Sequence, residues 1–174
     1  MLTIRPAEVK DAPAIAKVHV DTWQTAYRGI VPQDYIDNLT VQNRTMSWVR
    51  LLERNPNLIT LVSENHDGRI VGFASGGPIR HREPNYQGEI ATLYVSPRAQ
   101  RQGHGRRLFM ALSNRLAERD LKGLFVWVLA ENAARNFYEA MGGREVNEIT
   151  RDFAGAPLRE VGYGWADTPN YHTL

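Results

Sequence analysis

The sequence predicts an α/β or α+β fold, a sheet with helices on both faces. Three observations support this. Residues 58–77 form a hairpin pattern, two β-rich runs joined by an Asn-His-Asp-Gly turn. Residues 88–130 form a strand–helix–strand unit whose strands can pair in parallel through a right-handed crossover. The run at 123–130 is continuously apolar, which is typical of a strand buried on both faces.

The N-terminal part predicts a short strand at residues 2–5, followed by two or three helices. Asp11 is predicted to cap the first helix, with Pro13 in its first turn. Four side chains spaced at i, i+3, i+4 and i+7 predict its buried face: Ile15, Val18, His19 and Thr22. Residues 31–39 and 40–55 predict the second and third helices.

The remaining elements alternate between strands and helices. The hairpin strands cover 58–64 and 69–77, and a polar loop leads to a strand at 88–97 that Pro97 ends. A helical stripe follows, formed by Leu108, Phe109, Leu112, Leu116 and Ala117. Asn132 is predicted to cap a helix that reaches about Met141 and stops at Gly142 and Gly143. The tail predicts two strands joined by a Gly-Ala-Pro turn, and the whole chain, residues 1–174, is predicted to form one domain.

Composition excludes several function classes. Net charge is only +2, so no strong overall field favours nucleic acid or a membrane. There is no cysteine, which excludes disulfides, thiolate metal sites and a cysteine nucleophile, and five scattered histidines suggest no metal cluster. No apolar run approaches the ~20 residues of a membrane helix, and the first residues lack the apolar core of a signal peptide. We therefore expect a cytoplasmic protein.

The segment Ser-Pro-Arg-Ala-Gln-Arg-Gln-Gly-His-Gly-Arg-Arg-Leu, residues 96–108, predicts a phosphate site. Gly103 and Gly105 lie between a strand and a helix, where glycine permits unusual backbone conformations and close approach of a ligand. The start of a helix exposes unpaired N–H groups and a partial positive charge. Four arginines add positive charge: Arg98, Arg101, Arg106 and Arg107.

Three known phosphate-loop patterns place glycines between a strand and a helix, as this segment does. A P-loop needs Gly-Lys-Ser/Thr, whereas Arg106 and Arg107 follow Gly105, so that pattern is excluded. A dinucleotide loop needs a third glycine where Leu108 stands, although Glu131 ends the next strand where a ribose-binding acid would lie. Residues 100–105, Gln-Arg-Gln-Gly-His-Gly, fully match the third pattern, Gln/Arg-x-x-Gly-x-Gly/Ala. A nucleic-acid surface is a further alternative, but aromatic residues do not interleave with these charges.

In three segments the chain resembles the GNAT superfamily of acyl-CoA-dependent N-acetyltransferases. Three segments carry the resemblance in the same order: Thr-Ile-Arg-Pro-Ala-Glu-Val-Lys-Asp-Ala-Pro-Ala-Ile near the start, residues 89–108, and the Asn…Phe-Tyr…Gly pattern in 128–143. It implies a mixed, largely antiparallel seven-stranded sheet with a splayed central parallel pair. One departure is Arg144, which follows the two glycines where the family often has an aromatic residue.

The resemblance implies a role for each matched residue. Free backbone groups of Leu93, Tyr94 and Val95 would bond the pantetheine arm of acetyl-CoA, and the Val95 amide would polarise the acetyl carbonyl. Asn132 would also bond the pantetheine, while Tyr138 would protonate the departing sulfur; the alternative for Tyr138 is a core aromatic. The pyrophosphate would be held by a second group: Gln100, Arg101, Gln102, Gly103, His104, Gly105 and Arg106.

An ammonium acceptor must lose a proton before it attacks a carbonyl. Glu89, which begins the strand that would carry the cofactor, is the candidate base, often acting through water in similar proteins; the alternative is a solvent-facing glutamate. His19, His81 and Glu83 are weaker candidates. Among the aromatic residues of the N-terminal helices, Trp23 and Tyr27 are candidates for the acceptor pocket, whereas Trp48 is expected in the core.

We therefore expect an enzyme that transfers the acetyl group of acetyl-CoA, without a metal, to a primary amine of a small molecule. Because there is no cysteine, direct transfer in a ternary complex is the simpler mechanism. The alternatives are a non-catalytic acyl-CoA-binding or regulatory module and a protein N-terminal acetyltransferase. No nucleic-acid or membrane partner is expected, and the terminal strands could pair in a homodimer.

Overall fold

A computed structural model of the chain describes residues 2–81 and 83–171. Its strands are β1 (Thr3–Pro6), β2 (Ile59–Glu64), β3 (Ile70–Pro78), β4 (Gly88–Val95), β5 (Leu124–Leu129), β6 (Arg144–Phe153) and β7 (Ala156–Trp165). Its helices are α1 (Ala12–Ala26), α2 (Gln33–Asp37), α3 (Val41–Arg54), α4 (His104–Ala117) and α5 (Ala134–Ala140). None of the helices in these two ranges is long and apolar enough to cross a bilayer.

The seven strands form one sheet in the order β1-β2-β3-β4-β5-β7-β6. Every neighbouring pair is antiparallel except β4 and β5, which are parallel and joined through α4. The predicted fold class, a mixed and largely antiparallel sheet with one central parallel pair, is therefore confirmed.

The central pair separates soon after it forms. β4 and β5 are paired only at Gly88 with Leu124 and at Glu89 with Phe125. Beyond this point β4 remains paired with β3, and β5 with β7. The β3–β4 register skips Ala91, and such a bulge bends and twists the strand that carries it. The result is a V-shaped split between β4 and β5, as the resemblance implied.

Helices cover both faces of the sheet. On one face, α4 buries Leu108, Phe109, Leu112 and Leu116 completely, in one cluster with apolar side chains of β2, β3, β4 and β5. This is the stripe that the sequence predicted. On the other face, α1 and α3 pack Ile15 and Trp48 against Val62 and Phe73, so Trp48 is a core residue as expected.

Asp11 occupies the N-cap position of α1, as predicted, but its side chain accepts no hydrogen bond from the helix. Its carboxylate instead accepts two hydrogen bonds from the Arg5 guanidinium, at 2.7 and 3.0 Å, and one from the Glu8 amide at 2.8 Å. Arg5 holds the pKa of Asp11 below its ordinary value. A charged partner on the neighbouring strand competes successfully with the neutral helix N–H groups, because hydrogen bonds between ions are the stronger kind.

Two boundaries also differ slightly from the predictions. The β6–β7 turn lies at Ala154 and Gly155, both with positive φ (53° and 86°), so Pro157 belongs to β7 rather than to the turn. Asn132 stands two residues before α5, and its Oδ1 accepts the Ala134 N–H at 2.9 Å. Asn132 therefore bonds the first turn as predicted, although the helix starts slightly later.

Candidate functional site

The loop between β4 and α4 follows an irregular path. A short 3₁₀ turn (Pro97–Ala99) leads to Arg101 and Gly103, which both have positive φ, 62° and 90°. Glycine adopts this conformation without steric cost, which accounts for Gly103 immediately before the helix. Side chains hold the loop from within: Gln100 Nε2 donates to the Val95 carbonyl at 3.2 Å, and Gln102 Nε2 to the Arg98 carbonyl at 3.1 Å.

The backbone N–H groups of this loop are free. Within residues 2–81 and 83–171, no group accepts a hydrogen bond from the N–H of any residue from Gln100 to Arg106. Arg107 is the first whose N–H is bonded, to the Gly103 carbonyl at 3.1 Å. A row of free donors at the start of a 14-residue helix is a site for an anion.

The backbone of β4 offers further free groups in the split. The Ser96 N–H donates to the Val71 carbonyl at 2.8 Å, and backbone groups of alternate residues point to the same side of a strand. Tyr94 therefore bonds β3, while the N–H groups of Leu93 and Val95 face the gap left by β5. The backbone groups predicted to bond the pantetheine arm are thereby reduced from three residues to two. Tyr94 contributes its side chain to the site rather than its backbone.

Five of the predicted residues meet where the split opens. Trp23 Nε1 donates to the Tyr94 hydroxyl at 3.2 Å, and Asn132 Nδ2 donates to the Tyr27 hydroxyl at 3.4 Å. Burial raises the pKa of both Tyr27 and Tyr138, and the neighbouring Tyr94 phenol raises each further. The residues come from the C-terminal end of α1, from β4, from α5 and from the turn before α5. They form one cluster of neutral phenols with an amide and an indole.

Tyr138 belongs to both the core and the site. Its ring is 5% exposed and lies near those of Phe137, Tyr163 and Trp165, with centroids 5.2 to 6.4 Å away. In the described part of the chain, nothing accepts from or donates to its hydroxyl. A protonated phenol with no internal partner can donate its hydrogen to a ligand atom.

Glu89 lies apart from this cluster. It precedes Tyr94 by five residues of β4, roughly 16 Å at the rise of a strand. Its buried carboxylate accepts three hydrogen bonds from Arg80: from the backbone N–H at 3.2 Å, Nε at 3.0 Å and Nη2 at 2.9 Å. The sequence did not predict Arg80, since the polar loop 78–87 carries no pattern that selects one cation.

The weaker candidates for the base are each engaged elsewhere. His81 Nε2 accepts from Trp127 Nε1 at 3.1 Å, and a Glu83 oxygen accepts from Asn147 Nδ2 at 2.8 Å. His19 Nδ1 accepts from Trp48 Nε1 at 3.3 Å. The residues described contain no group of three or more His, Asp or Glu side chains placed to hold a metal ion.

His19 should make stability depend on pH. Burial lowers its pKa to about 4, so below the ordinary value of 6.5 the unfolded chain binds a proton that the folded chain does not. This contribution therefore falls by about 3 kcal/mol from pH 7 to pH 4 and is level at lower pH. We expect His19→Gln, whose amide can still accept from Trp48, to flatten that part of the curve in urea unfolding at stepped pH. Identical pH slopes for the two proteins would contradict the assignment.

An aromatic wall of partly buried rings packs beside the cluster and includes Trp23, Tyr35 and Phe153. Trp23 and Tyr27 lie 4.5 Å apart between ring centroids, and Trp23 stacks on Phe153 at 5.7 Å. Tyr35 meets Phe153 edge to face at 4.7 Å. Phe153 ends β6, and so the β6–β7 hairpin reaches the helices α1 and α2. The contact between Tyr35 and Phe153 was not predicted, because it joins segments more than 100 residues apart in the sequence.

Comparisons with known proteins identify the family. Residues 19–143 match the family model described as the acetyltransferase (GNAT) family. The uncharacterized N-acetyltransferase YuaI of Bacillus subtilis (strain 168) is 37% identical over 174 residues, which covers 100% of this chain and 98% of that protein. The chain belongs to the GNAT acetyltransferase family. The resemblance and the predicted enzyme class, an acetyl-CoA-dependent N-acetyltransferase, are thereby confirmed.

A more distant sequence relative and a solved structure also match this acetyltransferase over most of their length. Phosphinothricin N-acetyltransferase of Streptomyces viridochromogenes is 28% identical over 173 residues, covering 94% of this chain and 82% of that protein. The structure of yncA from Salmonella typhimurium, solved with acetyl-CoA, matches with a TM-score of 0.70 at 21% identity. That match covers 98% of this chain and 96% of the other, and it supports the fold.

Proposed function

We propose that this acetyltransferase moves the acetyl group of acetyl-CoA directly to a primary amine of a small molecule, in a ternary complex. The observation that carries the proposal is the β4–β5 split, which ends at the free N–H groups of Gln100 to Arg106. A cosubstrate with an extended amide-bearing arm and a pyrophosphate at one end matches both features. The Salmonella structure with acetyl-CoA supports the same choice of cosubstrate.

The pantetheine arm would lie along β4 like an added strand, bonded by the backbone of Leu93 and Val95. The pyrophosphate would accept the amides of the loop at the start of α4, where the helix dipole favours negative charge. Asn132 Nδ2 now makes only a long 3.4 Å bond to Tyr27, so it can turn to an arm carbonyl. The resident groups thus fit both parts of the cosubstrate.

Three groups of the chain would carry different steps of the transfer. The Val95 N–H polarises the acetyl carbonyl, and a donor already held in place by the strand needs little reorganisation. As the amine nitrogen bonds to the carbonyl carbon and the carbon–sulfur bond breaks, Tyr138 gives its proton to the departing thiolate. Glu89 removes the amine proton through a path of water molecules, since its carboxylate is held by Arg80 away from the phenol cluster.

The acceptor would lie against the aromatic wall of Trp23, Tyr35 and Phe153, beside Tyr27. These rings offer flat apolar surface that suits the body of a small molecule. The name of the Streptomyces relative, a phosphinothricin N-acetyltransferase, also supports a small-molecule acceptor.

An acetyl-transfer screen tests the proposal. Release of free CoA is followed with a thiol reagent while amino acids, alkyl and aryl amines and short peptides are offered as acceptors. We expect release above the hydrolysis background with at least one small amine. Release with peptides alone would instead indicate a protein N-terminal acetyltransferase. If calorimetry shows that acetyl-CoA binds while no amine causes release of free CoA, the protein would be a non-catalytic module.

We also propose that the chain can form a homodimer through its terminal strands. β6 is an edge strand, and its Val146 side chain is 45% exposed. An unpaired edge offers free backbone groups to a second copy. Sizing chromatography with light scattering should give twice the monomer mass, and a monomer at all concentrations would refute the proposal.

A further inference from the structure

A buried hydrogen bond joins the first residue of α4 to the sheet. Ser63 Oγ on β2 and His104 Nδ1 lie 2.7 Å apart, and the two residues are 0% and 3% exposed. The bond points away from the split, because β2 is separated from β4 by β3. Burial, and then the nearby Arg107 cation, lowers the pKa of His104, so the ring is neutral near pH 7.

This helix start has an unusual requirement. An ordinary side-chain cap accepts the first N–H groups of a helix, which would remove the donors that an anionic ligand needs. Here Gly103 stands at the cap position and provides no side chain. The helix start must therefore be held by contacts that leave those N–H groups free, or its first turn would fray.

Three contacts hold the first turns of α4, one on each of three strands. Leu108 lies over Gly72 of β3, where an added Cβ would come within 3.2 Å of its Cδ1. A Cβ added at Gly105 would lie 3.8 and 3.9 Å from side-chain atoms of Val95 and Leu93 on β4. These two are apolar contacts without a preferred direction. The His104–Ser63 bond is directional, so it fixes the rotation of the first turn about the helix axis.

We propose that the Ser63–His104 hydrogen bond is a positioning device, which anchors the start of α4 to β2 and so aims the free N–H groups of the loop at the pyrophosphate. His104 and Ser63 act through the backbone rather than by touching the cosubstrate with their side chains. This inference rests on the proposed function, in which that loop holds the pyrophosphate.

Kinetics with two acetyl donors test the proposal. Ser63→Ala and His104→Leu should each raise the KM for acetyl-CoA about tenfold, the size expected for one buried hydrogen bond, with little change in kcat. S-acetylpantetheine has no pyrophosphate, and so its kcat/KM should not change in Ser63→Ala, which alters a residue outside the binding loop. The double variant should cost no more than either single variant, since both remove the same bond.

Two further variants separate positioning from stability. In His104→Asn the amide can occupy the place of Nδ1, and this variant should restore the KM for acetyl-CoA. Ser75→Ala is the matched control, a buried serine of β3 bonded to Thr92 at 2.6 Å, and it should lower the melting temperature without affecting the choice of donor.

The outcomes are distinguishable. Wild-type protein without transfer from either donor would refute the proposed function itself. If the wild-type protein is active, two results would refute the positioning role alone. In one, the variants melt earlier but keep their KM for acetyl-CoA. In the other, kcat/KM falls equally for both donors.

Discussion

Tyr138→Phe is expected to lower kcat about 100-fold and to leave the KM for acetyl-CoA nearly unchanged, the pattern of a lost proton donor. The substitution removes only the hydroxyl, which has no partner among the described residues, so the surrounding ring packing is kept. Because burial raises the pKa of Tyr138 above its ordinary 10, the phenol remains protonated throughout neutral and mildly alkaline solution. Steady-state kinetics with the best amine of the screen provide the measurement.

Tyr163→Phe is the matched control for that experiment. The Tyr163 hydroxyl donates to Glu139 at 2.7 Å and accepts from Arg135 Nε at 3.0 Å, so its loss should cost about 1 kcal/mol of stability. Its kcat should stay at the wild-type value. If Tyr138→Phe also turns over at the wild-type rate, Tyr138 is a core residue and another group protonates the thiolate.

Glu89→Gln is expected to lower kcat/KM for the amine about 100-fold at pH 7, because the base that removes the amine proton is lost. The amide keeps the size of the side chain and can still accept from Arg80, which limits the structural disturbance. The deficit should shrink as the pH approaches the amine pKa of about 10, since solution then supplies the free amine directly. A pH series of kcat/KM for both proteins measures this.

Arg80→Gln distinguishes catalysis from simple pairing. This variant retains the Glu89 carboxylate and removes only the guanidinium that bonds it at 2.9 and 3.0 Å. We expect a smaller deficit than in Glu89→Gln at pH 7. Equal deficits that do not change with pH would mean that Glu89 serves only to pair with Arg80, and that a water path without this carboxylate takes the proton.

Patterns within one element were predictable from the sequence. The stripe of Leu108, Leu112 and Leu116 follows from helical spacing, and all three are fully buried. The glycine at 103 marks a positive φ between a strand and a helix. Asp11 was correctly predicted at the N-cap of α1. Its side-chain partner was not predictable, because the carboxylate bonds Arg5 of β1 instead of the helix N–H groups.

Contacts between different elements of the fold could not be predicted from the sequence. No spacing rule links Arg80 to Glu89, Ser63 to His104, or Tyr35 to Phe153, because each pair depends on how a loop or helix packs against the sheet. The split itself depends on the bulge at Ala91, which has no signature in the run Glu-Ile-Ala-Thr-Leu-Tyr-Val. The resemblance implied a splayed pair with free backbone groups at Leu93, Tyr94 and Val95, and the strand register leaves Leu93 and Val95 facing the gap.

Amide hydrogen exchange, measured by NMR with and without acetyl-CoA, locates the bound cosubstrate on the backbone. Binding should slow exchange at the N–H groups of Leu93, Val95 and residues 102–106, which have no acceptor in the described chain. The Tyr94 amide is already bonded within the β3–β4 ladder, so its exchange should change much less. Acetyl-CoA binding that leaves Leu93, Val95 and the loop amides exchanging at their free rates would contradict the account.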